Sequence, residues 1–174
     1  EIADGDWSSD VCSSDLGVWG KQVFYEASAR VPLVIRWPER FDARTVTENV
    51  NLCDLYATLS DLAGIPVPDG LDSRSLAPLL VGDTAGWHQR PNANETVSQF
   101  DGRDLMIKRD ALKYQYYGED LPEVLFDLER DPDETENVID DPRYADALEG
   151  FRERRAELGF GPDAVEDYET AGYA

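Results

Sequence analysis

The spacing of apolar residues changes character along the chain. Val31-Pro32-Leu33-Val34-Ile35-Arg36-Trp37 is a nearly continuous apolar run ended by Pro38. That is the pattern of a strand covered on both faces, as in a parallel sheet. From Asn51 the apolar residues fall at Leu52, Leu55, Tyr56, Leu59, Leu62 and Ala63, one stripe at helical spacing, and Gly64 followed by Pro66 stops it. Asn51 suits the cap of this helix, and Asp54 the positive end of its dipole. Ile65 to Arg74 reads as a Pro/Gly/Asp loop and Ser75 to Leu80 as a short helix. Between Gly82 and Asn94 the pattern fades into a polar connection that predicts a subdomain boundary.

Beyond this connection the period becomes two. Thr96 to Phe100, Leu105 to Arg109 and Lys113 to Tyr117 predict strands separated by turns at Asp101-Gly102 and Asp110-Ala111, with Val124 to Leu128 as a further strand. A last helix is predicted from Asp141-Pro142, cap then first turn, through Tyr144, Leu148, Phe151 and Leu158 to Gly159. The fold class is therefore α/β: the end of a parallel-sheet domain over 17–90, then an antiparallel-sheet subdomain packed by a helix over 91–160, then an acidic tail over 161–174.

Composition narrows the function classes. The 174 residues carry 37 Asp plus Glu against 16 Lys plus Arg, a formal net charge of −21. A nucleic-acid partner is not expected, because a polyanion is repelled by such a surface. No apolar run approaches the roughly 18 residues of a membrane span, so no membrane partner is expected. Four Trp, eight Tyr and six Phe supply core material that a disordered acidic chain lacks. Glu1 to Leu16, Ser-rich and without Lys or Arg, has no signal-peptide character; it resembles the translation of a sequencing adapter, with an acidic disordered tail as the alternative. Either reading removes Cys12 from the argument. Without this stretch the chain still holds 32 acids against 16 bases, and only three of the bases, Lys21, Lys108 and Lys113, are lysines. A carboxylate-rich, lysine-poor surface suits concentrated salt, which screens its self-repulsion, so a halophilic source is expected. Cys53, the remaining thiol, falls in the apolar helical pattern and reads as a small buried hydrophobe.

One segment is unusual for its chemistry. Gly17-Val18-Trp19-Gly20-Lys21-Gln22, followed by Tyr25-Glu26-Ala27-Ser28-Ala29-Arg30-Val31-Pro32-Leu33, packs small residues around a lysine ahead of the predicted strand. It resembles a signature of the type I sulfatases, in the alkaline phosphatase superfamily. The similarity continues through Asn51 to Gly64, Gly70-Leu71-Asp72-Ser73-Arg74-Ser75-Leu76, Met106 to Tyr116, and Leu125-Phe126-Asp127-Leu128 with Asp131-Pro132 and Glu136-Asn137. Five pieces in the right order cover about residues 17 to 145.

The resemblance implies the C-terminal part of a sulfuric ester hydrolase with an alkaline-phosphatase-like fold, arylsulfatase- or choline-sulfatase-like, acting on a small-molecule or carbohydrate sulfate ester. It implies Lys21 as the catalytic, sulfate-binding lysine, whose ammonium would stabilise charge developing near the bridging oxygen. Glu26 and Arg30, four apart, suggest a helical ion pair supporting the loop under Lys21. Asp54 is a candidate supporting group, equally explained by helix capping. His88 reads as a solvated side chain, and Arg152, Arg154 and Arg155 as cations complementing a helix C-terminus.

In the family a formylglycine made from Cys or Ser is the nucleophile, and calcium is held by Asp and Asn or His. Cys53 lies outside that motif, and Leu16 stands where a His usually precedes the glycine. Calcium is thus expected in the intact enzyme, with no metal ligand named here and this chain expected to be inactive by itself. Two alternatives remain: a phosphodiesterase or phosphonate monoester hydrolase of the same superfamily, and a non-enzymatic acidic binding module in which Lys21 is incidental.

Overall fold

The computed structural model describes residues 23–88, 94–119 and 121–161. Lys21, Glu1 to Leu16 and the tail after residue 161 lie outside the described residues.

The best-defined part is the predicted meander. Strands β1 (Glu95–Phe100), β2 (Asp104–Arg109), β3 (Leu112–Tyr117) and β4 (Val124–Asp127) pair antiparallel in chain order. The turns fall where Asp-Gly and Asp-Ala predict them. Asp101, Gly102 and Asp110 take φ of 53°, 68° and 51°, the left-handed region that glycine and short Asp side chains reach most readily. The strands begin one residue earlier than the alternation indicates, because Glu95, Asp104 and Leu112 complete the outer ladder pairs.

Register sorts the side chains onto two faces. One face gathers Leu105, Ile107, Tyr114, Tyr116 and Leu125, with Val97 and Leu112 against them. The last helix covers it: a 3₁₀ turn over Pro142–Tyr144 leads into α5 (Ala145–Glu157). Asp141 caps the turn by accepting the Arg143 N–H, and Gly159, at φ 82°, lies just past the end. Leu148 and Phe151 enter the core, and Phe151 stacks on Tyr114 with ring centroids 5.7 Å apart. The second face carries Thr96, Ser98, Met106, Lys108, Lys113 and Gln115, as the pairings Thr96↔Lys108↔Lys113 and Ser98↔Met106↔Gln115 require.

Arg152, Arg154 and Arg155 do more than complement a dipole. Arg152 pairs with Glu123, Arg154 with Glu95 at 2.9 Å, and Arg155 with Glu123 and the Tyr114 hydroxyl. They fasten α5 to the sheet through partners far away in sequence, which helical spacing does not reveal.

The N-terminal half departs further from the sequence reading. Four helices occur before the sheet: α1 (Glu26–Ala29), α2 (Asp54–Leu62), α3 (Ala77–Leu80) and α4 (Ala85–His88). The connection read as purely polar thus contains a helical turn, which buries Trp87 beside Leu76 and Leu79. Val31 to Trp37 forms no strand. A strand requires a ladder neighbour, and no described residue pairs with this segment, so Val34 is 87% exposed. Only Ile35 packs inward, against the Leu76–Leu79–Trp87 cluster.

Helix α2 forms as predicted but turns its other side inward. Asp54, Ala57 and Thr58 are buried, whereas Leu52, Tyr56 and Leu59 are exposed. Polar anchoring explains the orientation. The Thr58 hydroxyl accepts the Leu76 N–H at 2.9 Å, the Asp54 carboxylate accepts the Arg74 N–H at 2.8 Å, and the Ser73 hydroxyl accepts the Ala57 N–H at 2.9 Å. Cys53 goes with the outward side and is an exposed free thiol, not a buried hydrophobe. Among the described residues no helix is long and apolar enough to cross a membrane.

Candidate functional site

The segment after residue 22 is bound tightly to the second face of the sheet. Phe24 is buried, stacks on Tyr117 at 5.8 Å and donates its N–H to the Tyr117 hydroxyl at 3.3 Å. Tyr25 meets Phe126 at 5.7 Å. Glu26 then opens α1, with its backbone N–H donated to the Glu134 carboxylate.

The Glu26 side chain does not pair with Arg30. Helix α1 has one turn, and Arg30 already has extended geometry, so the i,i+4 relation needed for the pair is not formed. Instead Glu26 accepts from Lys113 Nζ at 3.0 Å and lies 3.5 Å from Lys108 Nζ. Lys113 also pairs with Glu134 at 2.8 Å and is fully buried. Burial pushes the Glu26 carboxyl up, but the Lys113 ammonium, with Lys108 behind it, outweighs this and holds it below the usual carboxylate value. The result is a buried cluster of alternating charge, Glu134–Lys113–Glu26–Lys108, joining the β2–β3 surface to α1.

Arg30 is exposed and borders an open cleft between residues 30–52 and β1–β2, which Glu26 and Lys108 also line. Asp54 is elsewhere, holding the Asn51 and Arg74 N–H groups at 2.9 and 2.8 Å. That is a helix-start and turn-holding geometry, and Asp54 shares no hydrogen bond or ion pair with Glu26. His88 is half-exposed with its Nε2 3.7 Å from Glu48. The Cys53 thiol is pushed up by partial burial and then by the Asp54 and Asp72 carboxylates. It is therefore a poor thiolate nucleophile at neutral pH.

Lys113 and Glu134 were not singled out by the sequence. A signal for Lys113 exists in retrospect: in a chain with three lysines, Lys108 and Lys113 both fall on inward-facing strand positions. Glu134 carries none, because its contribution depends on a loop conformation with φ 55°.

Two comparisons place this architecture. Residues 14–159 match the family model N-sulphoglucosamine sulphohydrolase, C-terminal. The chain belongs to this sulfatase C-terminal family. It is 38% identical over 127 residues to arylsulfatase K of Gallus gallus, covering 68% of this chain and 24% of that protein. It is 37% identical over 147 residues to choline-sulfatase of Rhizobium meliloti (strain 1021), covering 80% and 28%. The chain thus spans about a quarter of the length of these curated relatives.

Solved structures share the fold. A phosphonate monoester hydrolase from Silicibacter pomeroyi superposes with a TM-score of 0.66 at 24% identity, covering 86% of this chain and 33% of that one. BT4656, solved in complex with its substrate D-glucosamine-2-N,6-O-disulfate, superposes with a TM-score of 0.64 at 23% identity, covering 82% and 30%. The fold is accordingly that of the C-terminal part of sulfatase and alkaline-phosphatase-like enzymes.

Proposed function

We propose that this chain is the C-terminal part of an enzyme that hydrolyses a sulfate ester, small-molecule or carbohydrate, and that Lys21 contributes to the sulfate pocket. The observation carrying this reading is the family match over residues 14–159, supported by identity to an arylsulfatase and a choline-sulfatase. In the proposed role the Lys21 ammonium stabilises negative charge that develops as the ester oxygen departs. Glu26 supports it indirectly, held in place by Lys113.

Formylglycine and calcium belong to the same proposal but are assigned to sequence outside the described residues. Among those residues no group of three or more His, Cys, Asp or Glu could hold a metal ion. No step is routed through a metal here, and this polypeptide by itself is proposed to be inactive.

The test is turnover by the intact enzyme on matched aryl sulfate and aryl phosphonate substrates. A higher kcat/KM for the sulfate, falling by about 10²–10³-fold in Lys21→Ala, supports the reading. A preference for the phosphonate establishes the phosphonate hydrolase alternative. No turnover with either substrate, or turnover indifferent to Lys21→Ala, refutes the role given to this lysine.

A further inference from the structure

We propose that Lys113 and Glu134 are positioning residues for the sulfate pocket: together they clamp Glu26 and so fix the chain that leads back to Lys21. The inference rests on the sulfatase reading above and adds two residues that the sequence resemblance does not assign.

The clamp is built from both strands and loop. Lys113 Nζ lies between Glu26 at 3.0 Å and Glu134 at 2.8 Å, with no solvent exposure. Glu134 accepts the Glu26 backbone N–H as well, so Glu26 is held by side chain and main chain at once. Stability by itself does not call for this arrangement, since a well-packed apolar trio at a buried site is commonly as stable as an ion cluster. What charges add is geometric definition, because each pairs only in a narrow range of positions.

Glu134 is itself under constraint. Its φ of 55° is left-handed, a region that costs a residue with a Cβ about 1–2 kcal/mol and that Glu seldom adopts. The Asp131 side chain holds that loop by accepting the Thr135 and Glu136 N–H groups at 2.6 and 2.8 Å. A strained residue kept in place by its surroundings points to a positional requirement.

The reach of the chain links the clamp to the pocket. Phe24 is already fastened to Tyr117, and three residues fully extended span at most about 11 Å. The Lys21 Cα must therefore lie within that radius of the Phe24 anchor. If Glu26 and Phe24 are released from the sheet, that restriction goes, and displacement of a catalytic group by about 1 Å costs roughly 10²-fold in rate.

The experiment uses the intact enzyme and reads two quantities: aryl sulfate kinetics, and amide hydrogen exchange in peptides covering Phe24–Ala29 and Leu105–Ile107. In Lys113→Met and Glu134→Ala, kcat is expected to fall at least about tenfold, by more than KM rises. Exchange should quicken over Phe24–Ala29 and not over Leu105–Ile107. Glu134→Gln keeps an oxygen acceptor and is expected to retain most of the turnover, and the exposed Arg143→Ala to retain all of it. Wild-type kcat in Lys113→Met overturns the proposal. So does a loss of protection spread equally over both peptides, which marks a purely structural role. If the wild-type enzyme turns over no sulfate ester, the sulfatase reading fails, while unchanged exchange over Phe24–Ala29 in Lys113→Met would separately refute the clamp.

Discussion

Replacing Phe151 by Ala tests whether one helix holds the C-terminal sheet. Phe151 is 1% exposed, its ring is stacked on Tyr114 at 5.7 Å, and the Arg109 guanidinium lies 5.2 Å from its centroid. Removing a fully buried phenyl ring costs about 3–5 kcal/mol. The upper half of that range applies because the site cannot readily collapse. Its floor is a sheet whose registry is fixed by paired strands, and its walls are held by Arg154 on Glu95 and Arg155 on Glu123. For a unit of this size about 4 kcal/mol lowers Tm by roughly 15 °C or more. The assay is thermal unfolding of the 174-residue chain followed by near- and far-UV circular dichroism. Leu121→Ala, at a side chain 57% exposed, is the control, expected to change stability by no more than about 0.5 kcal/mol. A Phe151→Ala midpoint within about 3 °C of wild type, or a Leu121→Ala loss as large, would refute the assignment of this core.

Two further outcomes follow from the charges and the thiol. Glu26 and Glu123 both sit below the ordinary carboxylate value: burial raises each, but Lys113 in the first case and the Arg152 hydrogen bond in the second prevail. The folded chain therefore binds fewer protons than the unfolded one around pH 4.5, so the stabilisation is present above that pH and is lost as pH falls through the depressed folded values. Thermal midpoints should decline on acidification below about pH 4.5, and less steeply in Glu26→Gln; identical slopes would show that Glu26 is unpaired. In a Cys12→Ser background, Cys53 should react with a thiol reagent in native buffer without denaturant, and faster at pH 9.5 than its raised pKa permits at pH 7. Reaction only after unfolding would mean that Cys53 is buried after all.

What could be read from sequence follows from how local the determining forces are. Strands β1 to β4 and the last helix were legible because alternation, Asp-Gly turns, the Asp141-Pro142 start and the Gly159 stop are all encoded within a few residues. The face that α2 buries was not, although its apolar stripe is clear. Asp54, Ser73 and Thr58 draw the opposite side inward through hydrogen bonds to a turn about twenty residues away. The apolar run at Val31–Trp37 was read correctly as material for burial, but burial depends on a neighbour, and none of the described residues supplies one. Cys53 follows the same logic, taking its exposure from the side of α2 it occupies.

The proposed site divides along the same line. A lone lysine among glycines and a downstream glutamate are visible as residue types. Their interlock is not, because its components come from positions 26, 108, 113 and 134 and meet only after three strands have paired in register. A one-residue slip of β3 would carry Lys113 to the apolar face against α5 and bring Leu112 or Tyr114 beneath Glu26. The charge cluster thus penalises wrong registry as well as holding α1: a slipped sheet would bury an ammonium among Leu148 and Phe151 and leave two carboxylates without their cation. Fold specificity and placement of the chain leading to Lys21 are in this way properties of the same four side chains.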